Sequence, residues 1–181
     1  MGLLVGGVLV WTLSHYFKRL FPATRAKLGA PGKGLVTVLL LLSLAMMVYG
    51  YRWTEFTPVW TPPSFMVHIN NLLMVTALYV FGMSATTGRL RGRMRHPMLL
   101  SVKIWALAHL LVNGDLASII LFGGMLVWAA GSVILINKAE VWDRPTSGDA
   151  KKDKLLAIIT VVAFAAMTGI HTWLGVWPFP G

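Results

Sequence analysis

The chain alternates long apolar runs with short polar or basic connections, and that alternation predicts its elements. Six apolar segments stand out, over residues 3–20, 35–52, 66–84, 98–113, 115–136 and 154–174. Several approach the ~20 residues that a helix needs to cross a bilayer. They predict an all-α, polytopic integral membrane protein. About six transmembrane helices would form a compact bundle, a single domain over residues 1–181 with no separate soluble domain. The first segment lacks a basic region before it, runs straight into HYFKRLF and has no small-x-small cleavage site, so it reads as a span rather than a signal peptide.

The connections carry their own signals. LGAPGKG predicts a Gly/Pro-rich break before the second span, and YRWTEFTPVWTPP reads as an interfacial segment. Its aromatics suit lipid headgroups, while Pro58, Pro62 and Pro63 resist a continuous helix. Pro97 is placed to open the fourth helix. Asn113-Gly114-Asp115 predicts a tight turn, with Asp115 positioned to cap the fifth helix. In that fifth helix Gly123, Gly124, Ala130 and Gly131 would permit close helix contact. Past His171, the WLGVWPFP tail returns to the interface.

Composition fits this picture. Charged residues make up only 12% of the chain, against about a quarter in ordinary soluble domains, and 56% of residues are hydrophobic. The absence of cysteine excludes disulfides, thiolate catalysis and iron–sulfur ligation. A net charge of +10 would suit nucleic acid, but its placement favours lipid headgroups instead. Basic residues collect at Lys18–Lys33, at Arg89–Arg95 and at Lys138–Lys154, that is, in alternate connections, and the others hold only Arg52. By the positive-inside rule both termini lie outside and the three basic loops are cytoplasmic. The expected location is a bacterial inner membrane with periplasmic termini.

Polar groups within the apolar segments are the candidates for chemistry, since such groups are costly in hydrocarbon unless paired, hydrated or snorkelled. They concentrate in residues 93–115, RMRHPMLLSVKIWALAHLLVNGD. Trp105, His109 and Asn113 share one i,i+4 face, as do Trp11, His15 and Arg19 in the first span. His109 is the sharpest candidate: it either contacts a ligand or cofactor, or fixes packing through an interhelical hydrogen bond. His15 is its most suggestive partner, because both histidines follow a tryptophan by four residues. Two imidazoles could ligate haem iron on opposite faces, although the inferred topology sets their depths about 10 Å apart.

His96, at the basic boundary, reads as structural or headgroup-facing rather than catalytic. Lys103 either snorkels or binds a propionate, and Asn113 supports His109 or ends its helix. His68 and His171 both fall near the exterior boundary, where they could share a polar site. No zinc-protease motif, P-loop, dinucleotide fingerprint or nucleophilic triad is present.

Two stretches, SHYFKRLFPATRAKLG and RHPMLLSVKIWALAHLLVNGDLASIILFGG, resemble the NnrU family of membrane proteins, which is related to plastid-type zeta-carotene isomerases. The resemblance extends over nearly the whole chain. It implies an association with denitrification, in support of nitrite and nitric oxide reductase production and with reductase assembly partners. The isomerase relationship implies haem b, with His15 and His109 as axial ligands and His96 as a supporting histidine. It also implies, as an alternative, cis-trans isomerisation of a carotenoid or other polyene. A third reading is a non-catalytic assembly factor. Membrane lipids and a hydrophobic small molecule are the expected partners, and nucleic acid is not.

Overall fold

The computed structural model describes residues 1–146 and 148–179, and the Pro180 end of the WLGVWPFP tail lies outside the described residues. Among the described residues seven α-helices follow in order: α1 (Gly2–Leu20), α2 (Pro22–Lys27), α3 (Gly29–Arg52), α4 (Met66–Gly82), α5 (Pro97–Val112), α6 (Leu116–Ala139) and α7 (Ala150–Trp173). A short 3-10 helix at Arg89–Arg93 lies between α4 and α5. Each of the six apolar segments contains the body of one long helix. Among the described residues there is no β-strand, only an isolated antiparallel bridge between Pro58 and Asp115.

Among the described residues three helices, α3, α6 and α7, each 24 residues, are long and apolar enough to cross a membrane. The apolar helices α4 and α5 are shorter, at 17 and 16 residues. At 1.5 Å per residue they extend about 25 Å, somewhat less than the ~30 Å hydrocarbon core.

Two boundaries differ from the sequence expectation. LGAPGKG is not a break throughout: the chain turns at Gly29, whose φ of 51° lies in the left-handed region, and is helical from there. Pro31 falls in the first turn of α3, where its missing N–H leaves no hydrogen bond unmade. Helix α7 likewise starts at Ala150, earlier than the apolar run, because the Asp149 carboxylate accepts from the Lys151 N–H at 2.8 Å. Pro97 opens α5 and Asp115 caps α6, both as expected.

The chain divides into two compact units, residues 1–60 with 114–140 and residues 61–113 with 141–181. In the first, α1 and α3 are antiparallel and packed backbone to backbone. A Cβ on Gly50 would come within 2.5 Å of the Leu4 nitrogen, and one on Gly7 within 2.9 Å of the Met47 nitrogen. Helix α6 packs on α1 through small residues: a Cβ on Gly124 would lie 2.6 Å from Val8 Cγ1, and Gly131 backs onto the Tyr16 hydroxyl. Gly123 and Ala130, on the same helix, take no part in this close approach. Arg19 at the end of α1 pairs with Glu140 just past α6 at 2.6 Å, so these two helices run the same way. At the opposite end the Thr57 carbonyl accepts from Leu116 N–H, and Gly114 O from Val59 and Trp60, tying the proline-rich segment to the Asn-Gly-Asp turn.

In the second unit α4 packs antiparallel to both α5 and α7. Its core is Val80, Met83 and Leu156, flanked by Tyr79, Leu90, Leu100 and Ile104. The basic segments lie together at one end. Arg89 N–H donates to Asp153 Oδ2, Lys152 to the Thr87 hydroxyl, and Arg144 Nε to the Gly92 carbonyl. The other surfaces are apolar: Leu41 and Leu13 in the first unit, and Leu72 and Val161 in the second, are each more than 60% exposed. Such faces in every long helix belong in lipid, where they have no reason to be covered.

Candidate functional site

The histidines share a local geometry that determines their chemistry. In α1, His15 Nδ1 lies 2.9 Å from the Trp11 carbonyl. In α5, His109 Nδ1 is 2.9 Å from the Trp105 carbonyl, and in α7 His171 Nδ1 is 2.8 Å from that of Met167. A carbonyl can only accept, so Nδ1 carries the proton in each neutral ring, and Nε2 keeps its lone pair. Donation of one ring N–H to a backbone carbonyl is also how metal-ligating histidines are usually oriented.

In the first unit His15 sits in an aromatic cluster that spacing along the chain only half reveals. Its ring centroid is 4.4 Å from that of Trp11 and 4.8 Å from that of Trp128, and the two indoles are 5.4 Å apart, edge to face. Trp128 is 7% exposed. The Tyr16 hydroxyl donates to the Trp128 carbonyl at 2.8 Å, holding α6 in register with α1. The Nε1 atoms of both Trp11 and Trp128 are buried without a hydrogen-bond partner among the described residues. Two donor groups left in this state are costly unless a ligand acceptor or a neighbouring ring face receives them. Arg19, on the same face of α1, is drawn to Glu140 instead.

In the second unit, the face predicted from sequence is borne out turn by turn. His109 bonds back to Trp105, and Asn113 Nδ2 donates to the His109 carbonyl at 2.8 Å. Asn113 is thus both the end of α5 and a brace for the histidine's backbone. Lys103 is half-buried farther back on α5, and His96 occupies the residue before its first turn. Thirteen residues at 1.5 Å each put His96 about 20 Å along the axis from His109. The structure therefore groups His109 with Asn113, leaves His96 at the basic end, and assigns His15 to the other unit.

Sequence reasoning missed a grouping at the end of the second unit. His171, expected beside His68, stands one turn beyond Met167 as His109 stands one turn beyond Trp105, and Met167 and Trp105 line the same cavity; His68 is exposed on the first turn of α4. Asn71 Nδ2 donates to the Pro178 carbonyl at 3.0 Å, and Asn70 Nδ2 to Asn71 Oδ1 at 3.1 Å. Asn70 Oδ1 is buried with no partner among the described residues. One turn deeper, an apolar cavity of about 220 Å³ is walled by residues including Met74, Ala77, Phe81, Ser101, Trp105 and Met167. The nearest available signal in the sequence was the i,i+4 relation of Asn70 to Met74, His109 to Trp105 and His171 to Met167. It becomes meaningful only once α4, α5 and α7 are known to pack together.

Among the described residues no three His, Asp or Glu side chains gather into a metal-binding group. A zinc ion held by three or four protein ligands therefore finds no ready set. Haem iron asks the protein only for axial ligands, and a neutral histidine whose Nδ1 carries the proton offers Nε2 as the coordinating atom. The unpaired indole donors near His15 are further groups able to receive a carboxylate of such a cofactor.

Comparison with curated proteins gives no match, and comparison with solved structures gives none either. The model of the NnrU protein family matches residues 3–178, nearly the whole length, and the chain belongs to the NnrU family.

Proposed function

We propose that this NnrU-family chain is a six-span inner-membrane protein that binds haem b through histidine Nε2 atoms and supports production of nitrogen-oxide reductases. The observation that carries the cofactor is the shared tautomer. His15 and His109 each have Nδ1–H committed to a carbonyl one turn back, leaving Nε2 as the coordinating atom. Both are the residues that the isomerase relationship implies as axial ligands. Trp11 and Trp128 would receive a propionate near His15, and Asn113 would hold the His109 turn in place. Bound haem would supply a redox-active iron whose potential the imidazoles and their apolar surroundings tune.

The membrane arrangement rests on the six apolar helices and on charge. Within each unit the cations concentrate at one end: Lys18, Arg19 and Lys138 in the first, and Arg89, Arg91, Lys151 and Lys152 in the second. Those ends belong on the cytoplasmic side, and the termini on the periplasmic side.

Family membership is what supports reading the chain in this role, and the partners proposed for it are reductase assembly proteins. A second reading is isomerisation of a polyene, favoured by the apolar cavity whose wall includes Trp105, one turn from His109. Its walls would hold the hydrocarbon, and a haem bound at His109 would supply the iron chemistry for isomerisation of a double bond. Pyridine haemochrome analysis of purified protein tests the cofactor, with haem b in at least a 1:1 ratio expected. Deleting the gene and measuring reductase activity tests the role. Loss of reductase activity, with no turnover of carotenoids by purified protein, is the expected pattern. Carotenoid turnover with unchanged reductases would move the assignment to the isomerase reading.

A further inference from the structure

One end of the second unit holds two acceptors that stand one helical turn from the walls of an apolar chamber. Pro178 O can only accept, so Asn71 must turn Nδ2 toward it and Oδ1 toward Asn70. Asn70 then donates through Nδ2, which fixes its own Oδ1 as the atom left over. That oxygen is buried and has no hydrogen-bond partner among the described residues. His171 contributes a second acceptor, because its Nδ1 proton is committed to Met167 O and its Nε2 carries the lone pair. Asn70, His109 and His171 each stand one turn beyond a cavity-wall residue, Met74, Trp105 and Met167 respectively. Because α4 runs opposite to α5 and α7, all three lie at the same end of the chamber.

We propose that this chamber binds a lipid-soluble ligand with a hydroxyl head, a hydroquinone or an isoprenoid alcohol, whose one O–H proton is shared between the acceptors Asn70 Oδ1 and His171 Nε2. The chemistry selects this class. A buried acceptor without a partner calls for a donor, which excludes ligands whose polar end is only a carbonyl or ether. The apolar walls call for hydrocarbon. At about 220 Å³ the chamber exceeds the ~150 Å³ that accommodates benzene in a protein interior. It therefore takes a substituted ring or the first isoprene units, and the remainder of the chain extends along the exposed faces of the helices into lipid.

The test uses the full chain in detergent under argon, titrated with decylhydroquinone, its dimethyl ether, and farnesol. Fluorescence quenching is followed, and Trp105 is identified as the reporter by its loss in Trp105→Phe. The free hydroquinone is expected to bind about tenfold more tightly than the ether, the value of one well-made hydrogen bond or slightly more. Asn70→Ala and His171→Phe should each erase most of that preference, and Ala77→Phe, which fills the chamber, should abolish binding of both. Farnesol binding comparable to hydroquinone supports an isoprenoid alcohol as the source, and hydroquinone binding alone supports a quinol. Equal affinity of the unmodified protein for hydroquinone and ether would overturn the proposal, as would undiminished binding by a folded Ala77→Phe variant. Haem content measured on the same samples reports separately on iron ligation, so either idea can fail without the other.

Discussion

Asp115 and Ser118 are joined twice: the serine hydroxyl donates to Oδ2 at 2.5 Å and its backbone N–H to Oδ1 at 2.9 Å. Both residues are buried, and Tyr51 from α3 reaches the same Ser118 oxygen at 2.8 Å. A helix cap thus doubles as the pin between α6 and α3. Asp115→Ala would remove the cap and leave two hydroxyls competing for one acceptor fewer. The expected cost is about 2–4 kcal/mol, read as a clear drop in thermal stability in detergent. A variant as stable as the parent would show that the cap is dispensable.

The close approach of α1 to α3 gives a second expectation. Gly50→Ala places a methyl group 2.5 Å from the Leu4 nitrogen, a contact with backbone that cannot swing aside. Overpacking of this kind costs about 1–3 kcal/mol. Gly123→Ala, where nothing lies within 4 Å, serves as the matched control and should be neutral. Equal melting temperatures for the two variants would contradict the packing described.

The ion pair at the other end should matter little. Arg19 and Glu140 meet at 2.6 Å, but the glutamate side chain is 52% exposed. Exposed pairs contribute about 0–1 kcal/mol, so Glu140→Ala should leave stability nearly unchanged. A loss as large as that of Asp115→Ala would mean that this end is far better shielded than its exposure indicates.

Orientation can be read directly, because the chain has no cysteine and any single cysteine introduced is the only label site. Ser64→Cys, in the segment before α4, should react with a membrane-impermeant thiol reagent applied from the periplasmic side. Lys152→Cys, among the basic residues of α7, should react only after permeabilisation of the inner membrane. The opposite pattern would invert the topology.

Local features were legible in the sequence, and contacts between helices were not. The apolar runs marked all six long helices, Pro97 and Asp115 marked two starts, and i,i+4 spacing placed Trp105, His109 and Asn113 in register. These depend on one helix alone, so the chain order contains them. Trp128 joining His15, and His171 standing one turn from the same cavity as His109, depend on which helices pack together, and residues 113 and 62 positions apart give no periodic sign of it. The helical start at Gly29 was hidden for a different reason. Pro31, Gly32 and Gly34 weaken a helix interior, but near its N-terminus proline is tolerated. The unpaired oxygen of Asn70 follows from a chain of hydrogen bonds ending at Pro178, which no linear motif encodes.

The visible absorbance spectrum of protein purified from haem-replete cells without added haem, compared with the His15→Ala and His109→Ala variants, tests haem ligation most directly. The unmodified protein should show a Soret band with the sharp reduced α-band of low-spin, histidine-ligated haem b. Each alanine variant should lose haem or turn it high-spin, while His68→Ala, at an exposed position, should not. A haem-free parent, or full haem content with an unchanged low-spin spectrum in both variants, would contradict it.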